Sequence, residues 1–272
     1  MRDRVGYYRN EDELEESFKP WFRSLVQDFK ILSKEEVPDF ADWGTFYRTI
    51  SLDPGVYLDY LYTECLLRGV EFRRKSVHHV REVATIALPA GAKPGIVVNC
   101  TGLWASKLGG VVERNLVPMR GQLVIVENQS NGIYYLSGDG TFRKEIGECC
   151  YVIERPAGGG TALGGCSYES WDVTPDMALA ERIMKRAIKI CPQLVPEGAG
   201  IEALRVIRHQ VGLRPVRNGG PRIEGEVLQD KELGNLHVVH CYGSGGFGFQ
   251  ASYGMANKAL KLVVEALGGQ KS

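Results

Sequence analysis

The chain lacks the features that would tie it to a membrane, a metal or a nucleic acid. None of its apolar runs approaches the length of a membrane span. Lys plus Arg and Asp plus Glu each number 33 in 272 residues, so no basic field recommends a polyanion. Histidine is scarce, at five residues. His237 and His240 on one strand point to opposite faces, and the adjacent His78 and His79 read as solvated, so no metal set forms. The seven cysteines include no C-x-x-C pair; an odd count in mostly apolar surroundings points to a reducing, intracellular compartment. The first residues, MRDRVGYYRNEDELEES, are polar and carry no signal-peptide core. The last five, GGQKS, are not the S-K-L address. Internal repeats and low-complexity tracts are absent. With 44% hydrophobic and 24% charged residues, the composition is that of an ordinary globular protein.

What is present concentrates in HVVHCYGSGGFGFQASYGMANKALKLVVEAL, His237 to Leu267. An apolar strand leads into Gly243, Gly245, Gly246 and Gly248, and small or apolar residues then recur at Ala251, Met255, Ala259, Val263 and Ala266. That spacing predicts a helix with one buried stripe. Glycine is costly to order, and its use here points to positive φ or a backbone held against a ligand. A helix N-terminus after such a turn favours negative charge. Gly243, Gly245 and Gly248 satisfy G-x-G-x-x-G, but no closing strand with an acidic residue follows, so this is not the dinucleotide fingerprint. A strand-to-helix turn that binds nothing would have the same local spelling.

Along the rest of the chain, Asp53-Pro54 reads as an N-cap and first helical residue, with Tyr57, Leu58, Leu61, Cys65 and Leu66 continuing at helical spacing. Gly69 stops that helix and Val70 to Phe72 reads as a strand. Ile96 to Cys100 and Leu123 to Val126 read as buried strands, the second after an Arg120-Gly121 turn. Tyr151 to Ile153 and Thr161 to Leu163 read as a hairpin around Pro156 to Gly160. Asp176 caps a second helix with Leu179, Ile183, Ala187 and Ile190 inward. Val206 to Arg222 is extended, and the long segment 128–150 reads as a lid or binding loop.

Arg205, Arg208, Arg214, Arg217 and Arg222 crowd one segment. Arg214 stands among apolar residues just before Pro215, where a planar guanidinium fork suits a carboxylate. An internal Asp or Glu partner would explain it equally well. Arg205, Arg208 and Arg217 read as surface charges. Tyr151 and Tyr168 are candidate hydroxyl donors beside such a site.

Six phrases in order resemble the D-amino-acid oxidase and D-aspartate oxidase family of FAD-dependent flavoproteins. They are VVNCTGLWA (97–105), PMRGQLVIV (118–126), YVIERP (151–156), LGG (163–165) with Trp171-Asp172, VGLRPVRNGGPR (211–222) and YGSGGFGFQ (242–250). The resemblance runs from Tyr7 to Leu267 and is loosest over the first fifty residues. It implies FAD contacts at Val77, Cys100, Thr101, Gly102, Trp104 and Gly212, and along Gly245, Gly246, Phe247, Gly248, Phe249 and Gln250. It implies that Arg214 grips the substrate α-carboxylate with help from Tyr151, that the Gly246 backbone accepts the amine, and that Tyr168 lies at the site. The implied partners are a D-amino acid and dioxygen, with no nucleic acid and no membrane; a homodimer is left open. The implied setting is cytoplasmic or peroxisomal. Tyr168 favours a neutral substrate, whereas Arg143 and Lys144 in the lid leave an acidic one open.

The implied fold is mixed α/β: an incomplete Rossmann-like FAD-binding domain (53–122 and 219–268) plus an antiparallel-sheet substrate domain (1–52 and 123–218). Family members open with a strand, a G-x-G-x-x-G turn and a helix that hold the diphosphate. This chain begins with residues that resemble a later part, so the expectation is an N-terminally truncated oxidase. Alternatives are a D-aspartate oxidase, a glycine or sarcosine oxidase relative, or a non-catalytic product. The whole reading requires Arg214 to lie beside the backbone of 243–250.

Overall fold

The computed structural model describes residues 1–9, 21–86, 95–138, 141–230 and 234–269. The polar stretch 10–20 and the terminal 270–272 lie outside the described residues, as does the side chain of Lys144. In chain order the elements are β1 (Arg2–Tyr8), β2 (Gln27–Leu32), β3 (Trp43–Thr49), α1 (Pro54–Leu67), α2 (Val80–Ala84) and β4 (Ile96–Asn99). Then come β5 (Leu116–Val126), β6 (Ile133–Leu136), β7 (Cys150–Glu154), β8 (Thr161–Gly164), β9 (Tyr168–Glu169) and α3 (Met177–Ile190). The last are β10 (Val206–Arg217), β11 (Arg222–Asp230), β12 (Gly234–Tyr242) and α4 (Gly248–Gly269).

The chain divides into two compact units. The first comprises Met1–Glu71, Arg120–Tyr168 and Asp172–Gly212; the second Phe72–Met119, Glu169–Trp171 and Leu213–Ser272. The first is built on a sheet ordered β10-β5-β8-β7-β6-β1-β3-β2. Its pairs from β5 to β2 are antiparallel except the parallel β1–β6 pair. Leu179, Ile183, Ala187 and Ile190 on α3 close over Val124, Val152 and Leu163 of the sheet. Burial of each large aliphatic side chain here is worth roughly 1.5–3 kcal/mol. The helix begins where expected, since the Asp176 carboxylate accepts from Leu179 N at 3.0 Å.

The second unit holds a three-stranded sheet, β11-β12-β4, with β11–β12 antiparallel and β12–β4 parallel. Val97, Leu236 and Val238 pack with Val80 and Ala84 of α2 and with Leu108. Mixed α/β architecture with a largely antiparallel sheet in one unit and a parallel strand pair in the other is the expected fold class.

Several local expectations are corrected. The Arg120-Gly121 turn does not exist; β5 runs straight through it. A buried Arg120 is tolerated because Nε donates to Asp172 O at 3.0 Å and Nη2 to Gln122 Oε1 at 3.0 Å and Thr174 O at 2.6 Å. The segment 128–150 is not one open loop, because β6 pairs with β1 on one side and β7 on the other. Val70 to Phe72 forms no strand and is exposed. Helix α1 forms where its spacing predicts, but none of its residues is buried. His79 is not merely solvated: its Nδ1 accepts from Arg81 N at 3.2 Å and caps α2.

Candidate active site

In the second unit β12 ends at Tyr242, Gly243 takes φ +88°, a tight turn spans Gly245–Phe247, and α4 starts at Gly248. The strand–turn–helix order expected from the glycines is there. An antiparallel bridge joins Val216 to Ser244 and so brings the end of β10 against this turn. Arg214, two residues earlier on the same face of β10, follows it. A Cβ built on Gly246 would lie 3.5 Å from Arg214 Cδ and 3.7 Å from Nε; one built on Gly245, whose φ is +57°, would lie 3.0 Å from Val216 Cγ2. A side chain at Gly245 would therefore crowd β10, whereas one at Gly246 would make ordinary contact with Arg214. The half-buried Arg214 lies beside the Gly246 backbone.

The loop after β4 supplies the other half. Asn99 is buried, whereas Cys100 and Thr101 are exposed, and Gly102 turns at φ +57° with open space where a Cβ would be. Asn99 Oδ1 accepts from Thr101 N at 3.1 Å and Thr101 Oγ1 at 2.7 Å, so the loop geometry is held from inside the sheet. Trp104 is 61% exposed, with its ring centroid 6.1 Å from that of Trp171 and the Lys107 ammonium 5.3 Å above it. An apolar groove of about 550 Å³ joins the two halves, lined among others by Val98, Cys100, Cys241, Ser244, Gly248 and Met255. Burial pushes the Cys100 and Cys241 thiols upward, and their mutual contact adds to this for Cys100.

Val77 is accounted for differently, since it packs against the second unit's core cluster. Gly212 lies on the part of β10 assigned to the first unit, with open space around a built Cβ. Tyr151 and Tyr168 also belong to the first unit. The Tyr151 ring lies on Gly164 so closely that a Cβ there would come within 2.1 Å of Cζ, which explains why glycine stands at that position. The Tyr168 ring has the Arg120 guanidinium carbon 5.5 Å from its centroid.

Arg217 and Arg222, from the arginine-rich segment, belong to an internal network. Arg217 Nε donates to Glu113 Oε2 at 2.9 Å; Arg222 Nη1 donates to the Tyr242 hydroxyl at 3.0 Å and Nη2 to Glu226 Oε2 at 2.9 Å. The surface reading of Arg217 is thus corrected. Burial opposes ionisation of Glu113, but Arg217 and the Asn115 backbone N–H outweigh it and hold the carboxyl below its usual range. Sequence reasoning also missed Cys241, Ser244 and Met255 of the groove, and the Asn99–His240–Glu226 chain described below. The helical spacing of Met255 was a usable signal; the others depend on strand register. Among the described residues no group of three or more His, Cys, Asp or Glu is placed to hold a metal ion. No helix among them is long and apolar enough to cross a membrane.

The fold is shared with solved oxidases of low sequence identity. Glycine oxidase from Geobacillus kaustophilus superposes with a TM-score of 0.68 at 17% identity, covering 97% of this chain and 71% of that one. The family model described as FAD dependent oxidoreductase matches residues 2–262. D-amino-acid oxidase from Fusarium vanettenii is 38% identical over 251 residues, covering 91% of this chain and 66% of that protein. The D-amino-acid oxidase of Schizosaccharomyces pombe is 34% identical over 253 residues, covering 92% and 68%. The chain belongs to the FAD dependent oxidoreductase family, and it spans about two thirds of the length of these curated relatives.

Proposed function

We propose that this chain carries the flavin-facing and substrate-facing parts of a D-amino-acid oxidase. The reaction is oxidative deamination: a D-amino acid, dioxygen and water give a 2-oxo acid, ammonia and hydrogen peroxide. The observation that carries this reading is the Arg214 side chain alongside the Gly246 backbone at the glycine turn.

The residues present fit the flavin end of FAD. The groove is apolar, as a flat ring system needs, and glycine backbone lines one end of it where α4 begins. Cys100, Thr101, Gly102 and Trp104 would hold it from the β4 loop, and Gly245, Gly246, Phe247, Gly248, Phe249 and Gln250 from the turn. Held there, FAD would supply a two-electron acceptor for the substrate α-carbon that dioxygen can reoxidise. The protein contributes placement. Arg214 takes the α-carboxylate, and the Gly246 carbonyl accepts from the amine. An amine that arrives neutral needs no protein base. In this reading 53–122 and 219–268 form the cofactor part, and 1–52 and 123–218 the substrate part. Seven free cysteines support an intracellular setting, cytoplasmic or peroxisomal.

The test is Arg214→Ala in the FAD-loaded protein. Charge-assisted hydrogen bonds of about 1.5–3 kcal/mol each predict an apparent KM for D-alanine raised at least tenfold, with FAD affinity unchanged. An unaltered KM would remove Arg214 from the site. The sequence position of Tyr168, where an acid-selective relative would carry an arginine nearby, supports a neutral substrate, so D-alanine should turn over faster than D-aspartate.

A further inference from the structure

A buried polar chain runs through the second unit to the β4 loop. Strands β12 and β4 pair in parallel with His240 opposite Asn99. His240 is fully buried. Its Nδ1 lies 3.2 Å from Asn99 Nδ2 and its Nε2 3.0 Å from Glu226 Oε2. The Thr101 N–H can only donate, so the Asn99 atom 3.1 Å from it is the oxygen, and the amide nitrogen is the one that faces His240. That nitrogen is itself a donor. His240 Nδ1 must therefore be bare, and the single ring hydrogen sits on Nε2, directed at Glu226.

This arrangement has no room for a second ring proton. With Nδ1 protonated, two donors would face each other at 3.2 Å. The amide would then turn over to offer its oxygen to the ring, and its nitrogen would meet the Thr101 N–H. The Thr101 N–H would lose its acceptor, and the hydroxyl would keep a bond only by reversing to accept from the amide. Around the ring stand Arg222, Glu224 and Glu226 on β11, the neutral Asn99 on β4, and the Tyr242 ring edge-on at 5.7 Å. Glu113 is one contact further, through the Tyr242 hydroxyl at 3.3 Å. Burial, then Arg222, hold the imidazole below its ordinary range against the pull of Glu226 and Glu224.

We propose that His240 is a positioning residue for the cofactor loop: neutral, it fixes Asn99 so that Thr101 is ordered for FAD, and protonated, it releases the loop. The inference rests on the flavoprotein reading given above, yet the relay itself exists without any flavin. Two measurements keep these apart. The first is hydrogen-exchange protection of the Thr101 amide in the flavin-free chain, corrected for intrinsic rates, from about pH 8 down to about pH 4, through and below the ordinary histidine range because the fold holds this imidazole lower. The second is FAD affinity over the same range.

In the native chain, Thr101 protection and FAD affinity should both fall on acidification, the affinity by about tenfold for the loss of one well-made hydrogen bond. His240→Asn keeps an oxygen acceptor near the Nδ1 position and does not titrate. It should bind FAD nearly as the native chain does at high pH and show no slope. His240→Leu should bind weakly, and leave Thr101 unprotected, at every pH. A flat native profile, or a slope retained in His240→Asn, would overturn the proposal. If FAD binds at no pH, the cofactor reading fails, and Thr101 protection decides the relay alone: protection unchanged by pH in the native chain sinks it.

Discussion

Two helices of the first unit make an instructive pair. Helices α1 and α3 are both fourteen residues long, and both start from an aspartate cap, Asp53 accepting from Gly55 N and Asp176 from Leu179 N, each at 3.0 Å. There the likeness ends. Helix α3 buries Leu179, Ala180, Ile183, Arg186, Ala187 and Ile190 and gives its outer face to charged residues such as Glu181 and Lys185. Helix α1 is the more apolar of the two and buries nothing; Val56, Leu58, Tyr60, Tyr62, Leu66 and Leu67 are between 48% and 76% exposed. Caps and propensity decide where a helix starts, but tertiary packing supplies most of its stability. So many exposed apolar side chains on one helix are unusual on a folded protein.

The comparison can be broken most forcefully at Glu148, which anchors α3. Its carboxylate is fully buried, paired with Arg182 and Arg186 at 2.7 Å each, and accepts from the Arg143 N–H at 3.1 Å. Glu148→Ala leaves two guanidinium groups without their carboxylate and should cost about 3–5 kcal/mol, read as a shift in the urea midpoint. Burial alone would raise this carboxyl, but the Arg143 N–H and the two arginines outweigh it and lower it. The sign follows: the fold holds Glu148 ionised, so its contribution is complete above the ordinary carboxylate range and is lost as pH falls through the lowered folded value. Glu148→Gln should remove that part of the acid dependence of Tm. Next in size is Ile183→Ala, which empties a fully buried site and should cost about 2–5 kcal/mol, with the spread set by how far the core closes up. A cost under 1 kcal/mol would mean that α3 is no better packed than α1.

The same contrast explains what could be read from the chain beforehand. The α3 stripe Leu179, Ile183, Ala187, Ile190, the hairpin about Pro156 to Gly160, and the strand–turn–helix around Gly243 are local patterns, and each stands where its spelling placed it. The nearness of Arg214 to Gly246 was legible only through family resemblance, because it arises from a bridge between residues 216 and 244. Strand β6 was missed because a four-residue apolar run looks like loop until its partners on β1 and β7 are known. The His240–Asn99 pair hides for the same reason, being a register 141 residues apart in sequence. Arg217 and Arg120 misled because a buried guanidinium and an exposed one are spelled alike. The α1 stripe shows the converse: apolar residues at helical spacing promise burial only where something covers them.

The smallest expected effect tests α1 itself. Leu58 is 53% exposed in the middle of the helix. Leu58→Ala removes little buried surface and installs the best helix former, so stability should change by no more than about 0.5 kcal/mol. The measurement is the urea midpoint, taken at several protein concentrations. A loss of about 2 kcal/mol or more would be a packing cost that no contact of α1 among the described residues accounts for. It would mean that the helix face is covered in solution, and the cost should then depend on concentration if a second copy provides the cover. In that event α1 and α3 would cease to be opposites; both would be packed helices, one against its own sheet and the other against another molecule.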